Sequence, residues 1–279
     1  MKLTLAISPC PNDTFIFDAM LHNKIDTEGL SFDCILEDVE SLNKMAMEGQ
    51  HDITKVSYGV VPRLLPHYRI LDAGGALGKG VGPLFISKKF SSVEEMDMNE
   101  VMVVLPGINT TAHLLFTMAF PEIKYKAFIP FHEIEEAVLS GKADAGVIIH
   151  ENRFTYASKG LHKLADLGDI WETKTGLPIP LGGILARRSF DVQLLKKINR
   201  VIHRSLAYAF EHQETLPPFV TEHAQEMEEA VMRQHIDLYV NDFSLGLGTP
   251  GRAAVWKLLE ASALLHPGPA GSDFEVFVD

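Results

Sequence analysis

The stretch SPCPNDTFIF at residues 8–17 decides how this chain starts to fold. It follows a short apolar segment, Lys2–Ile7, with the composition of a strand, and it leads into an amphipathic run. Its two prolines stiffen the backbone and bias the residue before each of them away from the helical conformation. Asn12, Asp13 and Thr14 are residue types that cap helix N-termini, and a helix N-terminus suits an anion. The stretch therefore predicts a rigid strand–turn–helix, with these three residues as candidate ligand contacts.

Strand-like segments alternate with helical patterns up to His150, which predicts βαβ units, a mostly parallel sheet and an α/β fold. The predicted strands are Lys2–Ile7, Ser31–Leu36, Pro83–Ser87, Val101–Leu105, Lys124–Ile129 and Ala145–His150. The predicted helices among them are Thr14–His22, Val39–Glu48, Thr111–Phe120 and His132–Ser140. After about Phe190 the chain becomes helical, with helices predicted at Asp191–Glu211, Glu226–Val240 and Thr249–Leu265.

Two segments have the character of crossings between lobes. One runs from Pro83 to Val101, and the other is the Pro- and Gly-rich stretch from Pro178 to Ala186. We therefore predict a large discontinuous α/β lobe, residues 1–88 plus 187–279, and a small α/β lobe, residues 89–186. Ligands of open α/β sheets usually bind at the carboxyl ends of the strands, so a ligand cleft is expected between the lobes.

Composition narrows the class of protein. The 279 residues carry a net charge of −12, which argues against nucleic acid as a partner but leaves room for a small anion held by local dipoles. The chain starts without the apolar core of a signal peptide, and no apolar run approaches the roughly 18 residues that a membrane span needs. Two cysteines give no disulfide framework. We expect a cytoplasmic protein without membrane partners.

A second strand–loop–helix candidate lies at Asn109-Thr110-Thr111, where two hydroxyls stand beside the free N–H groups of a helix start. Ordinary capping is the alternative explanation. Lys55, Val56 and Ser57 follow a short predicted strand, so that Ser57 is placed to cap the next helix and Lys55 to supply a positive charge. For Lys55 the alternative is a surface salt bridge.

His150 ends a buried type of strand, Ala145–His150, at the edge where a ligand is expected. An imidazole with an ordinary pKa near 6.5 suits proton transfer at neutral pH, although a lone histidine is more often structural. The glycine-rich segment 74–83 matches neither phosphate-binding loop pattern and is interpreted as a flexible loop. No histidine or cysteine group has metal-ligand spacing.

Taken in order along the chain, these motifs resemble one family, the 1,4-dihydroxy-6-naphthoate synthases of the futalosine route to menaquinone. The resemblance lies in SPCPNDTFIF (8–17), EDVESLN (37–43), KVSYG (55–59), GGALGKGVGP (74–83), NTTAHLL (109–115), IIHENRFTY (148–156) and GLPIPLGGILARR (176–188). It covers most of the chain.

The resemblance implies a two-lobed fold like that of type II periplasmic binding proteins. It implies a lyase that converts cyclic dehypoxanthinyl futalosine to 1,4-dihydroxy-6-naphthoate and dihydroxyacetone, with no metal or organic cofactor. The general base of the family falls on His150. Its substrate contacts fall on Lys55, Val56, Ser57, Thr110 and Thr111, and Asn12, Asp13, Thr14 and Arg153 are further candidates.

Two other functions stay open at this point. Chorismate dehydratase shares the fold and the pathway, and a non-catalytic protein that binds a small anion is the alternative from another class. The sequence does not fix the oligomeric state, for which a homodimer is one arrangement.

Overall fold

The computed structural model describes residues 1–225, 228–265 and 274–278. The chain divides into two compact units. Unit 1 is formed by Met1–Gly78 and Pro180–Asp279, and unit 2 is formed by Lys79–Ile179. Each unit has its own β-sheet and its own apolar core.

The strands are β1 (Lys2–Ile7), β2 (Ser31–Leu36), β3 (Ile53–Ser57), β4 (Tyr68–Ile70), β5 (Ala76–Gly78), β6 (Leu84–Ser87), β7 (Val103–Leu105), β8 (Lys126–Phe128), β9 (Ala145–Ile148), β10 (His162–Asp166) and β11 (Ile179–Arg187). The α-helices are α1 (Pro11–Leu21), α2 (Val39–Met47), α3 (Val61–Leu64), α4 (Thr111–Ala119), α5 (Ile134–Leu139), α6 (Asn152–Thr155), α7 (Leu167–Thr175), α8 (Val192–Glu211), α9 (Pro218–Thr221), α10 (Glu229–Tyr239), α11 (Asp242–Leu245) and α12 (Gly248–Leu265). The predicted strands and helices are all present, several of them shorter by a few residues. The first two residues of the helix predicted at Glu226–Val240 lie outside the described residues.

The sheet of unit 1 has the strand order β2-β1-β3-β11-β4, and β5 also pairs with β11. Strands β1, β2 and β3 run parallel, whereas β11 runs antiparallel to β3 and β4. Helix α8 covers this sheet through apolar residues spaced three or four apart, and its N-cap Asp191 accepts a hydrogen bond from the amide of Leu194 at 2.9 Å. Inside the core, the Ser205 hydroxyl of α8 donates to the Ile16 carbonyl of α1 at 2.7 Å.

The sheet of unit 2 has the order β10-β6-β9-β7-β8. Strands β7, β8 and β9 are parallel, and β6 runs antiparallel to both β9 and β10. Phe85 of β6 meets Phe116 of α4 with ring centroids 5.0 Å apart, which joins the sheet to its helical cover. β9, from which the chain continues to His150, is buried along its whole length.

The predicted mostly parallel arrangement holds for most strands of each sheet, but both sheets are mixed. Each sheet contains one strand, β11 or β6, that lies next to the point where the chain passes from one unit to the other, and this strand runs against its neighbours. The chain passes between the two units at 78/79 and 179/180, whereas the sequence suggested 88/89 and 186/187. β6 pairs with strands of unit 2, and most of β11 pairs with strands of unit 1.

One other local expectation needs correction. The glycine-rich segment 74–83 is not a loop throughout, because residues 76–78 form β5. The stretch 178–186, interpreted as a crossing, does contain the passage at 179/180, and most of it forms the long strand β11. Within the described ranges, none of the helices combines the length and the apolar composition that crossing a membrane requires.

Candidate active site

Helix α1 begins earlier than predicted, at Pro11, with Cys10 as its N-cap residue. Proline is favoured at the first helical position because its φ angle is already helical and its missing N–H is not needed there. Asn12, Asp13 and Thr14 therefore lie within the first turn, and the prediction that they cap the helix was wrong. The Thr14 hydroxyl instead donates back to the Cys10 carbonyl at 3.1 Å.

The carboxylate of Asp13 lies at the centre of a buried cluster, which we call the Asp13 cluster and which comprises Ser8, Asn12, Asp13 and Lys55. Lys55 donates to Asp13 Oδ1 at 2.6 Å, and Asn12 Nδ2 donates to the same oxygen at 2.8 Å. The Ser8 backbone N–H and hydroxyl donate to Oδ2 at 3.1 and 2.7 Å. The side chain of Asp13 is fully buried and that of Lys55 is 6% exposed, so the ion pair is not the surface salt bridge considered for Lys55. A negative charge in the first turn also suits the helix dipole.

Lys55, Val56 and Ser57 lie within strand β3, not in a loop after a strand, and all three are buried. Ser57 makes no side-chain hydrogen bond as a helix cap. Instead, Asn43 of helix α2 holds it at two points: Asn43 Nδ2 donates to Ser57 Oγ at 3.0 Å, and the Ser57 amide donates to Asn43 Oδ1 at 2.8 Å. Because strand residues two apart share a face, Lys55 and Ser57 project from the same side of β3.

Strand β11 makes room for the neighbouring side chains with two glycines. A Cβ at Gly182 would lie 2.9 Å from Cε of Lys55, and one at Gly183 would lie 2.7 Å from the ring of Tyr58. Real Cβ atoms do not approach so closely, so a side chain at either position would displace Lys55 or Tyr58. This explains the glycine pair of the segment GLPIPLGGILARR by its antiparallel register with β3.

In unit 2, Thr110 is the N-cap residue of α4. Its hydroxyl accepts from the His113 amide at 3.2 Å and donates to the Gly107 carbonyl at 2.8 Å. Thr111 is the first residue of the helix and is buried. The capping explanation therefore accounts for the Thr110 hydroxyl, whereas contact of either threonine with a ligand stays a prediction.

His150 follows the buried strand β9 by two residues and adopts a left-handed backbone conformation, with φ at +57°. Few residues other than glycine adopt this region, and a non-glycine residue held there at a strand end is a feature of functional sites. The imidazole is partly buried, and its ring centroid lies 4.7 Å from that of Phe131.

The segment after His150 is tied to the body of unit 2 through α6. Asn152 Nδ2 donates to Glu135 Oε2 at 2.7 Å, and Lys159 Nζ donates to the same oxygen at 2.6 Å. Glu135 belongs to α5 and is itself buried, so this carboxylate holds two points of the segment that follows His150.

Arg153 is engaged inside unit 2. Its guanidinium donates to the carbonyls of Gly80, at 2.8 Å, and Gly82, and it pairs with Asp166 Oδ2 at 3.1 Å. Asp166 in turn caps α7 by accepting from the Gly168 amide at 2.9 Å. Arg153 thus fixes the glycine-rich segment against the start of α7. These contacts give Arg153 a structural role, and its contact with a substrate stays a prediction.

Three of these residues were not recognised as parts of the site from sequence: Asn43, Glu135 and Gly182. For Asn43, its position as a polar residue in the middle of an amphipathic helix was a local signal that its side chain has a specific partner.

A sequence profile of a family described as menaquinone biosynthesis matches residues 3–263. The chain belongs to this family. A relative from Streptomyces coelicolor, named 1,4-dihydroxy-6-naphtoate synthase, is 44% identical over 266 residues, which cover 94% of this chain and 93% of the relative. A relative of the same name from Thermus thermophilus is 41% identical over 276 residues, 96% of this chain and 97% of the relative. The predicted family is confirmed, and neither relative is named as a dehydratase.

Solved structures show the same fold. A crystal structure of an Archaeoglobus fulgidus protein has a TM-score of 0.87 and 32% identity, covering 95% of this chain and 97% of that one. The periplasmic aliphatic sulphonate binding protein of Escherichia coli has a TM-score of 0.66 at 12% identity, with 95% and 86% covered. At that identity the likeness concerns the fold alone. The predicted α/β fold of the periplasmic-binding-protein type is confirmed for this member of the menaquinone biosynthesis family.

Proposed function

We propose that the protein is a carbon–carbon lyase that converts cyclic dehypoxanthinyl futalosine to 1,4-dihydroxy-6-naphthoate and dihydroxyacetone. The observation that supports this most is the identity of 44% and 41% with two synthases over nearly the full length of each chain. Retention of the motifs in order, from residue 8 to residue 188, agrees with it. The cytoplasmic location remains a prediction of the sequence.

The proposed cleavage reaction has two chemical requirements. Cleaving a C–C bond beside an oxygen function requires the removal of one proton and the stabilisation of the electrons that remain. Aromatisation of the new ring supplies much of the driving force. The protein must therefore provide a base at the reacting oxygen and hold the substrate so that the base reaches its proton.

We assign the base to His150. An imidazole has an ordinary pKa near 6.5, which lets it accept a proton at neutral pH. Two features of unit 2 support the assignment: the left-handed backbone at His150, and the contacts of Asn152 and Arg153 that hold the residues following it. A turn fixed in this way keeps the imidazole in one place, which is what a base needs when distance controls the rate.

Substrate binding is assigned to both units. In unit 2, the start of α4 at Thr110 and Thr111 is proposed to receive the substrate carboxylate, because backbone N–H groups at a helix N-terminus attract an anion. In unit 1, Lys55, Val56 and Ser57 are proposed to contact the substrate. Their burial along β3 and the brace from Asn43 support a rigid surface there.

The test of the reaction is incubation of the purified protein with cyclic dehypoxanthinyl futalosine in the presence of a chelator, followed by mass spectrometry and ultraviolet absorbance. Formation of dihydroxynaphthoate and dihydroxyacetone without any added cofactor is the expected result. Unchanged substrate would exclude the proposed reaction and make chorismate the next compound to try. If neither compound reacts, the non-catalytic alternative is favoured.

The test of the base is His150→Ala. We expect turnover to fall by about 10²–10⁴-fold with substrate binding largely kept, the range typical of losing a general base. His132→Gln is the matched control, because His132 lies next to the same Phe131 but has an exposed side chain. Near-full turnover in the His150 variant would remove it from the mechanism.

A further inference from the structure

The carboxylate of Asp13 has no acceptor site left for a ligand. A carboxylate offers about four acceptor positions, and four donors fill them here: two from Ser8, one from Asn12 and one from Lys55. The side chain is also completely buried. A carboxylate in this state would repel an anionic substrate, so direct contact of Asp13 with the substrate is a poor explanation for its place in the SPCPNDTFIF segment.

The ammonium of Lys55, unlike the carboxylate of Asp13, has hydrogen-bonding capacity left for a ligand. Its ammonium has three N–H donors, and Asp13 is the acceptor that the described residues supply for one of them. The stem of the side chain is confined as well, because Gly182 of β11 leaves just enough room for Cε. The ammonium is thus held by a charge-assisted hydrogen bond of 2.6 Å, and Cε of its stem lies close to Gly182.

We propose that Asp13 is a positioning residue, whose buried carboxylate holds the Lys55 ammonium in the orientation from which Lys55 contacts the anionic substrate. This inference rests on the proposed function, in which Lys55 is a substrate contact. The register of the sheet supports it. β1 and β3 are adjacent parallel strands, so the turn after β1, which leads to Asp13, lies beside the carboxyl end of β3, which carries Lys55.

The proposal is testable because the ion pair would affect both the stability of the protein and its affinity for substrate. Replacing one partner of a buried ion pair leaves the other charge without compensation, which lowers stability, whereas replacing both by neutral groups is often neutral. A purely structural pair would therefore recover all its properties in a double neutral variant. A positioning pair would recover stability but not substrate affinity.

The experiment compares Asp13→Asn, Lys55→Met and the double variant with the wild type, measuring thermal stability, KM and kcat for cyclic dehypoxanthinyl futalosine. Binding of the product 1,4-dihydroxy-6-naphthoate, followed by fluorescence titration, gives a readout independent of turnover. For Asp13→Asn we expect KM to rise by about tenfold or more, the loss of one hydrogen bond to a charged group, with kcat within about twofold. The double variant should regain stability and keep the raised KM of Lys55→Met.

Asp18→Asn is the matched control. Asp18 is a buried carboxylate on the same helix, and it pairs with Lys24 at the same 2.6 Å distance. Its replacement should lower stability without changing KM. Ser8→Ala is the milder variant in case Asp13→Asn does not fold: it removes one donor to Asp13 Oδ2 and should raise KM by a few-fold.

An unchanged KM in a folded Asp13→Asn protein would overturn the proposal, as would a further rise in KM when Asp13→Asn is added to Lys55→Met. Both results presuppose a wild type that turns over the substrate. A wild type that leaves the substrate unchanged refutes the proposed function instead, so the two failures are distinguishable.

Discussion

Removing the hydroxyl group from each of two buried tyrosines of unit 1 should change the stability of the protein in opposite directions. Tyr58 is fully buried, and within the described ranges its hydroxyl has no hydrogen-bond partner. Tyr68 is equally buried, but its hydroxyl donates to the His51 carbonyl at 2.8 Å. Burial raises the pKa of both phenols, so each is neutral at pH 7 and charge plays no part in the comparison. We expect Tyr58→Phe to stabilise the protein and Tyr68→Phe to destabilise it.

The magnitudes follow from the two environments. A buried polar group without a partner costs about 1–3 kcal/mol, and removing it recovers part of this because a small space is left behind. Tyr58→Phe should therefore raise the free energy of unfolding by about 1 kcal/mol, or Tm by about 2–4 °C. Tyr68→Phe removes a satisfied hydrogen bond and should lower the free energy of unfolding by about 0.5–1.5 kcal/mol.

The assay is urea and thermal unfolding of the wild type and both variants at pH 7, followed by circular dichroism. The ring of Tyr58 fits against Gly183, and we expect it to stay in place in the Phe variant. The measured difference therefore isolates the hydroxyl. If Tyr58→Phe destabilises the protein as much as Tyr68→Phe does, the Tyr58 hydroxyl has a partner and the reasoning is refuted.

The remaining predictions concern packing, thiol reactivity and pH. Gly82→Ala would place a Cβ against the backbone nitrogen of Gly168, so unit 2 should lose about 1–3 kcal/mol or more in urea unfolding; an unchanged midpoint would show that the two backbones separate freely. Burial, with a smaller effect of Asp13, raises the pKa of Cys34 to about 11, so its alkylation by iodoacetamide, followed by mass spectrometry, should be slow at pH 8 and accelerate above pH 10. Burial lowers the pKa of His51, so the unfolded chain takes up this proton first and stability should fall as the pH drops below about 6.5; His51→Asn should flatten that dependence, and an equally steep one would contradict the assignment.

Local patterns predicted much of the fold. β1 and β2 have the predicted bounds, and α2, α4 and α8 lie within one residue of theirs, because apolar periodicity and capping residues act over a few neighbouring positions. The helical character of the last third is also confirmed, by α8, α10 and α12. The start of α1 was predicted three residues late, since three good capping types after Pro11 outweighed the preference of proline for the first helical position.

Apolar periodicity and capping residues could not predict the order of the strands in each sheet or the direction in which β11 and β6 run. β11 and β6 pair antiparallel with strands that are far away in sequence, and a composition that marks a segment as a strand carries no information on the direction of its partner. Short strands such as β4 and β5 have three residues each, too few for a pattern to emerge.

By itself, the sequence determined that the chain is an α/β protein of the menaquinone biosynthesis family, and it marked Lys55, Ser57 and His150 as residues with chemistry to offer. Only the tertiary structure decided what those side chains meet. Lys55 pairs with Asp13, 42 positions away, and Ser57 is held by Asn43, 14 positions away. Such contacts are set by which strands become neighbours and by the register between them. Propensity and periodicity reflect interactions between residues close in sequence. Burial and ion pairing depend on contacts between residues far apart in sequence, and these contacts place the side chains of the candidate site.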